Sequence, residues 1–229
     1  MELNENNNKE SKNYRMILEE SNKGICCCCN NKESLDEIEY YSYLKLIEIC
    51  EEIYNKEDLS HKELLSYLES LGKDTINNNI NISVWRYLGF QSESPENDFR
   101  AGGLLSLKFM IYSLEQNTLS LTNGINEYFL FALACIKIIY EMKIFLFLFS
   151  DINMKQFKKS NKYIIADKHQ IKNYCLIKGF ELNNFFLICA EILKQSYIKF
   201  SNNIDNKNIV NNYLNIETII NKCIVRFLF

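Results

Sequence analysis

The chain is 229 residues long, 47% hydrophobic and rich in aromatics, with 15 Phe and 14 Tyr, and its formal net charge is -3. That length and apolar content suffice for a sizeable core and exclude a disordered or fibrous chain. Lys and Arg are dispersed, which excludes the basic footprint of a nucleic-acid binder; the densest basic run, KQFKK from Lys155 to Lys159, reads as a solvated face.

Residues 1–33 are polar, Asn-rich and without periodicity, and are expected to form a flexible arm. No secretory apolar segment follows Met1, so a cytoplasmic, reducing setting is expected, with Cys50, Cys135, Cys175, Cys189 and Cys223 as small core residues. Cys26, Cys27, Cys28 and Cys29 are adjacent. Consecutive side chains diverge, so they suit neither a zinc site nor ordinary disulfides. Multiple S-acylation would use the run, because two or more acyl chains make a stable anchor, and would hold the protein peripherally on endomembranes. A tail of biased composition accounts for the run equally well.

Helical periodicity starts near Leu35, with Tyr40, Tyr43, Leu44, Ile47 and Cys50 on one stripe. Ser60 and Glu63 fit a capping box, and Leu64, Leu65, Leu68 and Leu71 follow before Gly72, which reads as the helix end. SVWRYLGF predicts a short helix ending at Gly89 with Trp85 and Leu88 inward, and Ser94–Pro95 can open a helical turn. GGLLSLKFMIYSLEQ predicts a solid helix, with Leu104, Leu107, Ile111 and Leu114 recurring at helical steps.

The run from Tyr128 to Ser150 is apolar enough to raise a membrane-spanning reading, but Lys137, Glu141 and Lys143 interrupt it, so it is expected to be a buried helix of the core. Further helical spacing runs through Ile171, Tyr174, Cys175, Phe185, Ile188 and Ile192, and a last helix carries Ile216, Ile219, Ile220 and Cys223. With no βα alternation and no repeat, residues 34–229 are expected to form a single all-α domain.

Catalytic motifs are sparse. His61 and His169 lack metal-ligand partners at useful spacing, GKDT at Gly72 is not a phosphate-binding loop, and no Gly-x-Ser-x-Gly occurs. No metal site and no resident cofactor are expected. GFQSESPENDFRAGG, Gly89 to Gly103, stands out by holding the only proline and a charged pair before two glycines. Asp98 and Arg100, two residues apart, do not share a helix face. Asp98 can accept backbone N–H bonds at the following helix start and hold the loop, or orient Arg100 directly. A guanidinium offers five donors in a rigid fork that matches carboxylates and phosphates, so Arg100 is either a structural strut or a group held out to a partner. Phe99 is expected inward and Gln91 is undecided between a loop contact and a water contact.

Trp85, Gly89, Phe90, Gln91, Pro95 and then DFRAGGLLSL from Asp98 to Leu107 resemble the signature of the ELMO domain, a block spanning 85–107. FALACIKI, Phe131 to Ile138, is similar to the family's second block, and NYLNIETII to its closing segment. The resemblance implies an all-α multi-helix domain. It is closest to the small ELMO domain-containing branch, whose members are GTPase-activating proteins for Arf and Arf-like small GTPases using the arginine of the DFR block. It therefore implies that Arg100 is the catalytic group, supplied in trans, with no self-contained active site. Asp98 and Gln91 would support the loop, and Gly102 and Gly103 would give clearance. GTP and Mg2+ would be held by the partner GTPase. A catalytically silent GTPase-binding or adaptor module of the same fold is the alternative. Departures from the pattern are Ala101 in place of glycine, Leu130 in place of proline, Cys135 in place of glycine, and Lys137 in place of asparagine, where it would contact the partner.

Overall fold

The computed structural model describes residues 37–75, 83–119, 129–146, 148, 180–202, 216 and 218–224. The expected arm, Cys26 to Cys29, Cys175 and the segment 151–179 lie outside the described residues. Every regular element among the described residues is helical, as the periodicity predicted. In chain order they are α1 (Glu37–Glu51), α2 (Leu59–Thr75), α3 (Val84–Leu88), a 3-10 turn (Pro95–Arg100), α4 (Gly103–Glu115), α5 (Phe131–Phe145) and α6 (Leu182–Asn202), followed by helical residues at 218–224.

The core is organised around α4. That helix buries Leu104, Leu105, Leu107, Phe109, Met110 and Ile111, and packs against α1, α2, the 3-10 turn, α5 and α6. An apolar stripe broad enough to be covered on nearly every side makes a helix the centre of its layer rather than one of its faces. α5 is the second central helix. Ala132, Ala134, Cys135, Ile138, Ile139 and Met142 are fully buried on it, and it packs on α4 and α6. Among the described residues no helix is long and apolar enough to cross a membrane. Within the apolar run that raised that reading, the 15 residues Phe131–Phe145 form a packed helix.

Two expected helix boundaries are displaced for identifiable reasons. The N-cap of α2 is Asp58, not Ser60: the Asp58 carboxylate accepts from the Ser60 N–H at 2.8 Å and the Ser60 hydroxyl at 2.7 Å, and these bonds hold it below the usual carboxylate range. Gly72 does not end α2. It lies inside the helix, where a Cβ would come 2.6 Å from Val84 Cγ2 and 2.9 Å from Leu88 Cδ1, so its missing side chain lets α3 pack directly on α2. On α1 the buried stripe is Tyr43, Leu46, Ile47 and Cys50, with Leu44 only half-buried at its margin.

The C-terminus of α1 is where three helices meet. Helix ends leave carbonyls without intrahelical donors. Here the Cys50 carbonyl accepts from the Lys143 ammonium of α5, and the Glu52 carbonyl accepts from the Leu104 N–H of α4 at 3.0 Å. Burial holds the Lys143 ammonium below the usual lysine range, while Cys50 and Glu51 act in the opposite direction. Burial also pushes the Cys50 thiol up to about 12, with Lys143 opposing that rise and Glu51 adding to it.

Candidate functional site: the Arg100 turn

The segment from Trp85 to Gly103 is built from helix-end geometry. Ser83 caps α3, its hydroxyl oxygen accepting from the Arg86 N–H at 3.4 Å. The helix closes in a Schellman motif: the Gly89 N–H bonds the Arg86 carbonyl at 3.0 Å, and the Phe90 N–H bonds the Trp85 carbonyl at 2.9 Å. Gly89 has φ 88°, the left-handed conformation this motif requires. Phe90 then lies edge-on to Trp85 with ring centroids 5.5 Å apart, the apolar contact that accompanies such caps. The spacing of Trp85, Gly89 and Phe90 in the signature is thus the spacing of one helix end. Gly89 also lies against the start of α5, where a Cβ would come 2.6 Å from the Leu130 Cα.

Beyond the cap, the chain is secured at both flanks of residues 91–98. Glu93 accepts from the Ser83 hydroxyl at 2.8 Å and lies 3.5 Å from Arg86 Nε. Asp98 Oδ2 accepts from the Gln91 N–H at 2.9 Å. Asp98 therefore does hold the loop, through the residue preceding it by seven rather than through the following helix. Gln91 contributes its backbone to that bond and exposes its side chain.

Pro95 opens the 3-10 turn at its first position and is buried. In a 3-10 helix residues three apart eclipse one another. Asn97 and Arg100 accordingly share the outer face and are both exposed. Phe99, only 2% exposed, points the other way. It meets Phe90 at 5.9 Å and Tyr54 at 5.2 Å, and Tyr54 in turn meets His61 at 5.6 Å. Arg100 thus sits on an aromatic chain running from Trp85 to His61. Among the described residues its guanidinium has no ion-pair or hydrogen-bond partner.

The next three residues turn the chain into α4. Ala101 is right-handed, at φ -84°, so alanine is unstrained where the family pattern has glycine. The left-handed residue is Gly103, at φ 65°. The clearance expected from the two glycines is taken up by the chain itself. A Cβ on Gly103 would come 2.6 Å from the Glu52 carbonyl oxygen, and one on Gly102 would overlap the Ser106 hydroxyl.

The second block differs in character. Cys135 is fully buried, which pushes its thiol well above the ordinary value. Leu130 supplies the backbone surface that Gly89 packs against. Lys137 pairs with Glu141 one turn later at 2.8 Å and lies over the Tyr140 ring at 5.8 Å.

Sequence reading missed Glu52, Tyr54 and His61 as supports of this turn. The imidazole Nδ1 of His61 accepts from the Asn55 N–H at 2.9 Å, and its Nε2 lies 3.6 Å from Glu52 Oε1. Nothing in the local pattern marks Glu52 and Tyr54, because Leu104, Lys108 and Phe99, which they hold, are far away in the chain. Asp58 was findable, as an acidic residue just ahead of an apolar helical run.

The family model described as ELMO/CED-12 family matches residues 44–210. The chain is 36% identical over 77 residues to ELMO domain-containing protein 2 of Homo sapiens, a match covering 33% of this chain and 26% of that protein. It is 40% identical over 67 residues to Ankyrin repeat and ELMO domain-containing protein D of Dictyostelium discoideum, covering 28% of this chain and 5% of that protein. The matched stretches thus span about a quarter or less of these relatives. No solved structure matches.

Proposed function

The chain belongs to the ELMO/CED-12 family, and on that premise we propose that it activates GTP hydrolysis by an Arf or Arf-like small GTPase, supplying Arg100 in trans. The observation that carries this reading is an exposed arginine without an internal ion pair, on a turn whose neighbouring groups are engaged in holding it. A strut would show an internal partner. A group meant for another molecule's phosphates needs the opposite: a free fork on a fixed base.

The chemistry follows from charge. In phosphoryl transfer the transition state spreads negative charge over the γ-phosphoryl and bridging oxygens, and catalysis is mostly positioning and electrostatic stabilisation. The partner GTPase would hold GTP and Mg2+ and orient the attacking water. Arg100 would bring a positive charge with directional donors to those oxygens. Phe99, buried beneath it, limits the motion of the turn, and the Asp98–Gln91 bond keeps the loop closed. Pre-organisation of this kind reduces the entropy lost when the complex forms.

Single-turnover GTP hydrolysis across a panel of Arf and Arf-like GTPases tests the proposal. Wild-type protein is expected to accelerate at least one member, and Arg100→Ala to abolish the acceleration while binding persists. Arg100→Lys keeps charge but loses the fork, and is expected to rescue little. Nucleotide-dependent binding without acceleration would favour the silent adaptor module.

Cys26 to Cys29 extend the proposal to location: S-acylation there would hold the chain peripherally on an endomembrane facing the cytoplasm. Replacing all four with serine should release the full chain from the membrane fraction of cells. Unchanged partitioning would discard the anchor.

A further inference from the structure

Glu52 lies just past the end of α1 and is far in sequence from the turn it supports. α4 has no side-chain cap of its own: its N-cap residue is Gly102, which offers none. One of its orphan donors is met from outside, by the Glu52 carbonyl, which accepts the Leu104 N–H at 3.0 Å. Gly103 makes this contact feasible, since its φ of 65° and missing Cβ leave the carbonyl oxygen its place. The Glu52 side chain adds a second attachment. Its Oε2 takes a hydrogen bond from Lys108 Nζ of α4 at 2.8 Å, and its Oε1 lies 3.6 Å from His61 Nε2 of α2. The carboxylate also lies beside the first turns of α4, the end of the helix where negative charge is favoured.

We propose that Glu52 is a positioning residue for Arg100: a cap borrowed from the end of α1 that fixes the C-terminal side of the turn, as the Asp98–Gln91 bond fixes its N-terminal side. This rests on the reading of Arg100 given above. The two residues flanking the 3-10 turn's exit, Gly102 and Gly103, have no side chains with which to fix themselves. Without Glu52 they would form a hinge one residue beyond Arg100, after Ala101. Tyr54, two residues on from Glu52, meets Phe99 at 5.2 Å, so the same short segment holds the turn from its exit and from beneath.

The test uses the full chain and the variants Glu52→Ala, Glu52→Gln and Arg100→Ala. Amide hydrogen exchange over residues 91–104 is read without any partner, and single-turnover hydrolysis with the panel of Arf and Arf-like GTPases. Glu52→Ala keeps the carbonyl that accepts the Leu104 N–H but removes the side-chain links to Lys108 and His61 that hold it in place, and should speed exchange at Leu104 and its neighbours about tenfold while exchange in α5 stays unchanged. It should lower the stimulated rate at saturation about ten- to a hundredfold, with the half-saturating concentration unchanged. Glu52→Gln keeps an acceptor for Lys108 and should restore most of both readouts. Gly103→Ala, which disturbs the backbone half of the contact, should speed exchange at the same amides.

Unchanged exchange at 91–104 in Glu52→Ala overturns the proposal. So does a uniform rise in exchange across the bundle with rate and affinity lost together, which is the mark of general destabilisation. Failure of the Arg100 reading looks different: Arg100→Ala would stimulate as well as wild type, or wild type would stimulate nothing. Exchange decides the role of Glu52 in either case.

Discussion

The turn from Trp85 to Gly103 and the helix α5 are the two blocks that carry the family pattern, and they use their residues in opposite ways. The turn alternates between core and display. Phe90, Pro95 and Phe99 face inward, while Gln91, Asn97 and Arg100 face out. α5 is almost all core, and its charged residues at Lys137 and Lys143 are engaged with Glu141 and the Cys50 carbonyl. A departure from the pattern therefore means different things in the two places. In α5 the changes at Leu130, Cys135 and Lys137 are accommodated by backbone packing, burial and an internal pair. In the turn, Ala101 is tolerated because its φ is ordinary, and the position that demands glycine is Gly103.

The comparison breaks most readily at Arg100. If the turn is the display block, Arg100→Ala should cost about 10³-fold or more in stimulated hydrolysis, at unchanged thermal stability. A large fall in stability would make Arg100 a strut and remove the contrast. Gly89 sharpens the point that the two blocks are packed together. Gly89→Ala must accept φ 88° and a Cβ within 2.6 Å of the Leu130 backbone, and should lower the unfolding free energy by about 2–4 kcal/mol in urea denaturation. The smallest effect is expected at Lys137. Because its charge is paired with Glu141, Lys137→Ala should leave stimulated hydrolysis within about twofold, while the largely buried Glu141 left unpaired should lower stability by about 1–2 kcal/mol. A collapse of activity there would make α5 part of the contact surface and erase the distinction.

Much of the turn was legible in the residues. SVWRYLGF predicted a helix ending at Gly89, and Ser94–Pro95 the opening of a turn. Phe99 between two charges predicted one inward ring and outward neighbours. What misled was Gly72, read as a helix end. A glycine looks the same in sequence whether it terminates a helix or admits a neighbouring one, and only the positions of Val84 and Leu88 distinguish the two. At Gly102 and Gly103, clearance for a partner and clearance for Glu52 and Ser106 leave one signature in sequence.

By itself the sequence determined the helical class, the dominant apolar faces, the cap at Gly89 and an arginine bracketed by an aspartate and glycines. These follow from rules acting over three to seven residues: helical periodicity, capping, and the φ preferences of glycine and proline. Tertiary structure alone decided that α4 is the centre, that the end of α1 caps α4, and that Lys143 meets the Cys50 carbonyl. Those arrangements join residues 52 with 104 and 50 with 143. The orphan groups at a helix end must be satisfied, but local sequence does not name the partner when it comes from another helix.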